Sequence, residues 1–164
     1  MSDRPAIDLT VDSARWNAEP QAEAVVCNAI ATAADVVRAL PAAGGEVSVV
    51  LTDDEKIQDL NRTWRKIDKP TNVLSFPAPA APGRSVGPAM LGDIVIAYET
   101  TAREAAAEAK PFAHHVAHLT VHGFLHLLGY DHETDTEAEE MERLEAAILA
   151  RLDVPDPHRP QMRT

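Results

Sequence analysis

The chain has 164 residues, 45% of them hydrophobic, and a formal net charge of −11 at pH 7. That length fits one domain with room for a core, no apolar run approaches the ~18–20 residues that span a bilayer, and Met1-Ser2-Asp3-Arg4-Pro5 lacks the cationic, apolar pattern of a signal peptide. The acid excess argues against a broad nucleic-acid footprint, and the single cysteine, Cys27, excludes an internal disulfide and suits a reducing, cytoplasmic setting.

In chain order, Ile7, Leu9 and Val11 alternate with Asp8, Thr10 and Asp12, predicting a half-buried strand. After Pro20, apolar residues at Val26, Ile30, Ala33, Val37 and Leu40 predict a helix ending near Pro41. Gly44-Gly45 turns into a second strand, Glu46 to Leu51. Thr52-Asp53-Asp54-Glu55 has the spacing of a capping box, so a helix is expected there with Ile57, Leu60 and Trp64 on its buried stripe. Val73 to Phe76 reads as a short strand, and Pro77 to Met90, with four prolines and two glycines, as a mobile loop. Leu91 to Ala97 resumes the strand pattern with Asp93 unexpectedly polar inside it, and an alanine-rich helix follows over Thr100 to Ala109.

The next helix, Pro111 to Leu128, carries the stretch with the most chemistry. His122 and His126 lie four apart, hence on one face, and can present imidazole nitrogens to one ion at ~2.0–2.1 Å. Gly129 supplies the residue that ends the helix, letting His132 turn back as a third ligand. With 7 histidines and 7 glycines in 164 residues, a given histidine has both partners and the glycine by chance in roughly 1 case in 10⁴. Three imidazoles with no fourth protein ligand describe an open zinc site. His118, one turn upstream, lies ~12 Å from His126 and cannot share its ion; it either stands behind the ligands, faces the substrate, or is simply packed. The spacing is also that of H-E-x-x-H-x-x-G-x-x-H, whose glutamate is a peptidase's general base, but here that position is Gly123. A metallopeptidase is therefore the third-ranked reading.

Thr134-x-x-Glu137 or Thr136-x-x-Glu139 caps a last helix with Met141, Leu144 and Ile148 inward. The acidic run from Glu133 through Glu145 is read as its solvated face. Residues 153–164, with three prolines, are expected to be a disordered tail, leaving 1–152 as the single domain. The fold expected is α+β: a small four-stranded mixed sheet covered by about five helices, with the metal site on a buried helix and the turn after it.

A second constellation runs from Leu60 to Pro77. Lys56, Arg62, Arg65, Lys66 and Lys69 form a local basic face on an acidic protein. Arg65 is assigned the stabilisation of charge developing on a phosphorus centre, although judged alone it also suits the role of a helix-terminal cation. Lys69 belongs to this donor-dense stretch, and Asn72 and Ser75 either contact substrate or tie down the loop. Asp93 either orients a ligand histidine or is a strand-end turn residue; Asp131 and His118 are the nearest candidates for a general acid.

Both stretches resemble the YbeY family of endoribonucleases. The family's H-G-x-L-H-L-x-G-Y-D-H stands here as His122 to His132, K-P-T-N-V-L-S-F-P as Lys69 to Pro77, and L-G-D-I-V-I as Leu91 to Ile96. Trp64 stands where a tyrosine is common, and Lys66-Ile67 replaces a frequent Gly-Lys. The resemblance covers about Leu51 to Leu149. It implies a zinc-dependent hydrolase of RNA acting in maturation of the small-subunit rRNA 3′ end and in ribosome quality control, with one Zn2+ held by His122, His126 and His132, and with Arg65 catalytic. Lys69, Asn72 and Ser75 are the substrate-binding candidates. The partners implied are rRNA and the ribosomal small subunit or its proteins, with neither membrane nor DNA. The rival reading is a ribosome-assembly or RNA-binding factor in which zinc only braces the fold.

Overall fold

The alternating, β-branched runs become the strands Ala6–Val11 (β1), Glu46–Thr52 (β2), Val73–Pro77 (β3) and Met90–Ala97 (β4). In this computed structural model, which describes residues 5–37, 45–78 and 90–157, they form one four-stranded sheet in the order β1-β2-β4-β3. β1, β2 and β4 are parallel, and β3 pairs antiparallel with β4 at the edge. The helices are Ala22–Val37 (α1), Asp54–Arg65 (α2), Tyr98–Ala107 (α3), Phe112–Leu127 (α4) and Asp135–Arg151 (α5). The α+β architecture expected from the sequence, a small mixed sheet under five helices, is the one observed among the described residues.

Side-chain alternation divides the sheet into two unequal faces. Val47, Val49, Leu51, Ile94 and Ile96 enter the main core with α1, α4 and α5, whereas Leu74, Val95 and Ala97 form a smaller cluster with Ile57 of α2. The larger face therefore carries the histidine helix, and α2 sits across the sheet from it.

Several local expectations change. Thr52 is not the cap of α2: it ends β2, and its hydroxyl donates to Asp12 at 3.3 Å, while Asp53 caps the helix by accepting from the Lys56 amide. The extended backbone that carries Thr52 through the sheet delays the helix by one residue. Trp64 does not complete the buried stripe of α2 and is 67% exposed, meeting the small face of the sheet only through Phe76, their ring centroids 6.3 Å apart. A one-turn 3-10 segment, Ala14–Ala18, buries Trp16, whose indole donates to the Thr52 carbonyl at 2.8 Å; no apolar periodicity of this short stretch signals it. Of the two possible caps of α5, Thr134 is the one used, with Glu137 completing the reciprocal pair. Gly44 and the Leu40-Pro41 helix end lie outside the described residues, as do 79–89 of the proline-rich segment. The expected tail is described to Pro157, and Val154 packs against the core.

Candidate functional site

α4 reaches the site because one of its sides is pressed onto the sheet. Val121, Phe124 and Leu125 of α4 are fully buried, and the flank that meets the sheet includes Gly123, where a β-carbon would stand 3.1 Å from the Ile94 Cγ2. A separate stripe, one turn apart, carries His118, His122 and His126. The helix then stops as the glycine predicted: the Gly129 amide donates to the His126 carbonyl at 3.0 Å and the Tyr130 amide to Leu125 at 3.1 Å, with Gly129 at φ 101°. This pair of bonds is a Schellman closure, which satisfies the last carbonyls and reverses the chain. Asp131 accepts from the His132 amide at 2.8 Å and holds the turn.

The reversal brings His132 back to the helix. One ring nitrogen from each of His122, His126 and His132 lies within 4.8 Å of the others, and the ring centroids are 4.6, 5.9 and 5.4 Å apart pairwise. The Nε2 atoms of His122 and His126 are 3.1 Å apart. Two ligands at tetrahedral angles on bonds of ~2.0–2.1 Å would be separated by about 3.3 Å. The residues therefore fit a divalent ion such as zinc, and two of them are half-buried while His132 is exposed.

Glu145 of α5 orients this group, and sequence reasoning placed it wrongly. It was expected on the solvated acidic face, yet it is 1% exposed; one oxygen lies 2.5 Å from the His122 Nδ1 and the other 3.2 Å from the His118 Nε2. A carboxylate accepts, so Nδ1 of His122 carries the proton and Nε2 keeps its lone pair for the ion. The 2.5 Å contact is a hydrogen bond with no room for a metal between the atoms. The signal was present: Glu145 falls four after Met141 and three before Ile148, squarely on the inward stripe. Asp93, the other candidate for orienting a histidine, is exposed, its strand neighbour Ile94 packing in the core on α4's side of the sheet.

The histidines floor a cleft of about 520 Å³ whose far wall holds Arg65, at the last position of α2, and Thr71 to Ser75. Among the described residues no carboxylate pairs with Arg65, whereas Arg62 is held by Asp59 at 2.7 Å and Asp68 at 3.4 Å. Ser75 lines the wall. Asn72 lines it too, but its side-chain nitrogen donates to Glu104 at 2.8 Å and its oxygen accepts from the Val73 amide at 2.6 Å, so it ties the loop to α3. Lys69 is not on the wall: its side chain is exposed and its carbonyl accepts from Asn61.

Burial, then the neighbouring His122 and His132, holds the His126 imidazole below its ordinary value, in the neutral form that metals bind. Burial likewise lowers His115, which outweighs its 2.8 Å bond to Glu104; its Nδ1 has no partner among the described residues and would be a stranded donor if protonated. Both rings resist a proton that the unfolded chain accepts near ~6.5. Stability is thus intact above ~6.5 and is lost as pH falls through the lowered folded values. Thermal melts of metal-free protein should give a constant Tm from about pH 8 to about pH 7 and a falling one below about pH 6; no change down to about pH 5 would contradict the assigned neutral rings.

The family model described as Endoribonuclease YbeY matches residues 10–153. An Endoribonuclease YbeY of Nitrobacter hamburgensis is 57% identical over 162 residues, covering 97% of this chain and 85% of that one. Another, from Rhodopseudomonas palustris, is 57% identical over 161 residues, covering 97% and 93%. The solution structure of TM1509 from Thermotoga maritima aligns with a TM-score of 0.48 at 21% identity, over 94% of this chain and 99% of that one.

Proposed function

The chain belongs to the Endoribonuclease YbeY family, and from that premise we propose that its histidine cleft hydrolyses phosphodiester bonds in RNA with one zinc ion held by His122, His126 and His132. The observation that carries the reading is the meeting, in one cleft, of three convergent imidazole nitrogens and an arginine without a carboxylate partner among the described residues. Zinc held there would supply Lewis acidity, lowering the pKa of water toward ~7 so that it becomes a nucleophile near neutral pH, and would polarise a phosphoryl oxygen.

The chain's own groups do the rest. Glu145 fixes the tautomer and aim of His122. Arg65 presents a planar fork to the phosphoryl oxygens and offsets the charge that builds on them. Ser75 contacts the substrate from the wall, Asn72 keeps that wall in register, and Lys69 with the other cations of the α2 exit draws the anionic chain in. The biological substrate in this proposal is rRNA, with maturation of the small-subunit 3′ end and ribosome quality control as the roles, in the cytoplasm and beside the small subunit or its proteins. No helix among the described residues is long and apolar enough to cross a membrane.

The net charge of −11 favours a second reading, a ribosome-assembly factor that docks on a basic ribosomal protein and uses zinc as a brace. Metal removal separates the two. Chelated protein should keep its circular dichroism spectrum and lose cleavage of structured rRNA, both recovered with one equivalent of zinc. Unfolding on chelation would favour the brace, and undiminished cleavage by the stripped protein would refute the metal-dependent reading.

A further inference from the structure

Behind the wall of the histidine cleft, a single oxygen atom joins that wall to α4. Oε1 of Glu104, on α3, accepts from the Asn72 side-chain nitrogen at 2.8 Å and lies 2.8 Å from Nε2 of His115. Asn72 belongs to the wall and His115 to the helix that carries His122 and His126, whereas Glu104 does not itself line the cleft. We propose that Glu104 is a positioning residue that holds the substrate wall, Thr71 to Ser75, in register with the histidines, a proposal that rests on the endoribonuclease reading above.

Each group of this junction has an accountable partner. The Asn72 side-chain oxygen accepts from the Val73 amide at 2.6 Å, and its main-chain carbonyl from the Ala97 amide at 2.9 Å. Those two bonds fix Asn72 to β3 and to the end of β4, within the sheet. The bond to Glu104 is the one that ties it toward the helices. His115 is the anchor on the far side. It is 4% exposed, and a carboxylate only accepts, so the ring proton sits on Nε2 and points at Glu104. With no partner for Nδ1 among the described residues, that bond alone orients the ring there. A carboxylate oxygen has two lone pairs, enough for both donors. Without Glu104, Asn72 keeps its bonds to the sheet but loses its link to α3 and, through it, to α4. The wall must then be ordered by the substrate itself, at the expense of affinity.

The experiment compares zinc-loaded parent, Glu104→Ala, Glu104→Gln, Asn72→Ala and the Glu104→Ala/Asn72→Ala double variant in cleavage of structured rRNA and in amide hydrogen exchange. In Glu104→Ala, KM should rise on the order of ten-fold at unchanged zinc content, and the amides of the wall should exchange faster. A merely structural loss would shrink the active fraction, which lowers kcat and leaves KM alone. Glu104→Gln should restore both readouts, because its carbonyl oxygen also accepts twice and the half-exposed side chain lets the amide nitrogen turn to water. The double variant should be no worse than Asn72→Ala, since both changes cut one tether. Should Glu104→Ala fail to fold because the His115 donor is stranded, Asn72→Ala, which spares that donor, must show the same rise in KM. A parental KM in Glu104→Ala or in Asn72→Ala, additive losses in the double variant, or a Glu104→Gln as impaired as Glu104→Ala overturns the positioning role and leaves the proposed function standing. A parent that does not cut RNA removes the proposed function and this inference together.

Discussion

His126→Ala is expected to take the protein from one equivalent of zinc to below about a tenth, and cleavage of RNA to background, while the fold survives. His126 is the central member of the trio: its Nε2 lies 3.1 Å from that of His122 and its ring centroid 5.4 Å from that of His132. Without it the remaining rings are a pair centred 5.9 Å apart, one of them on an exposed turn. The fold should persist because α4 is packed by residues other than its histidines, among them Val121, Phe124 and Leu125, which are fully buried. Glu145→Ala provides the graded comparison. It leaves all three ligands but frees the His122 ring to rotate, and losses of this kind weaken metal binding by about 10–100-fold. Metal analysis after dialysis, with a competition titration for Glu145→Ala, reads both. Full zinc occupancy in His126→Ala would end the three-histidine assignment.

Arg65→Ala should behave in the opposite manner, retaining zinc and losing rate. The guanidinium lies across the cleft from the histidines, is exposed and has no carboxylate partner among the described residues, so little folding energy depends on it. In the proposed reaction its value lies in meeting negative charge that exists only as the phosphodiester reacts. Removing one such preorganised donor typically costs about 10²–10³ in kcat. Arg65→Lys restores charge but not the two-pronged fork, and should recover only part of the rate. Single-turnover cleavage with matched zinc content measures this. Parental rates in Arg65→Ala would leave Arg65 as merely a helix-terminal cation.

Much of this arrangement could be read from the residues because it depends on local spacing. The four-residue step from His122 to His126, the reversal at Gly129 and the cap at Thr134 are short-range geometry, and all three appear in the structure. What spacing could not carry were contacts between elements distant in the chain. Glu145 looked like one more acid on a solvated helix, since only the packing of α5 on α4 reveals that it bonds to His118 and His122. Trp64 followed the helical period of Ile57 and Leu60, but periodicity cannot say how much of the opposing sheet each position meets. Asn72 offered hydrogen-bonding groups to a substrate, and Glu104, thirty-two positions later, takes one of them. Thr52 had the spacing of a cap, and the strand pairing of β2 claimed it first.

The contact between Gly123 and Ile94 also bears on where the proton of the attacking water can go. A larger residue beside His122 would press on the Ile94 side chain, which must give way before a helix-borne carboxylate can stand where it serves many zinc peptidases. In the proposed hydrolysis, with glycine at that position, the proton acceptor would come from the turn at Asp131, from the opposite wall, or from the phosphate of the RNA itself, which would make the substrate a participant in its own scission.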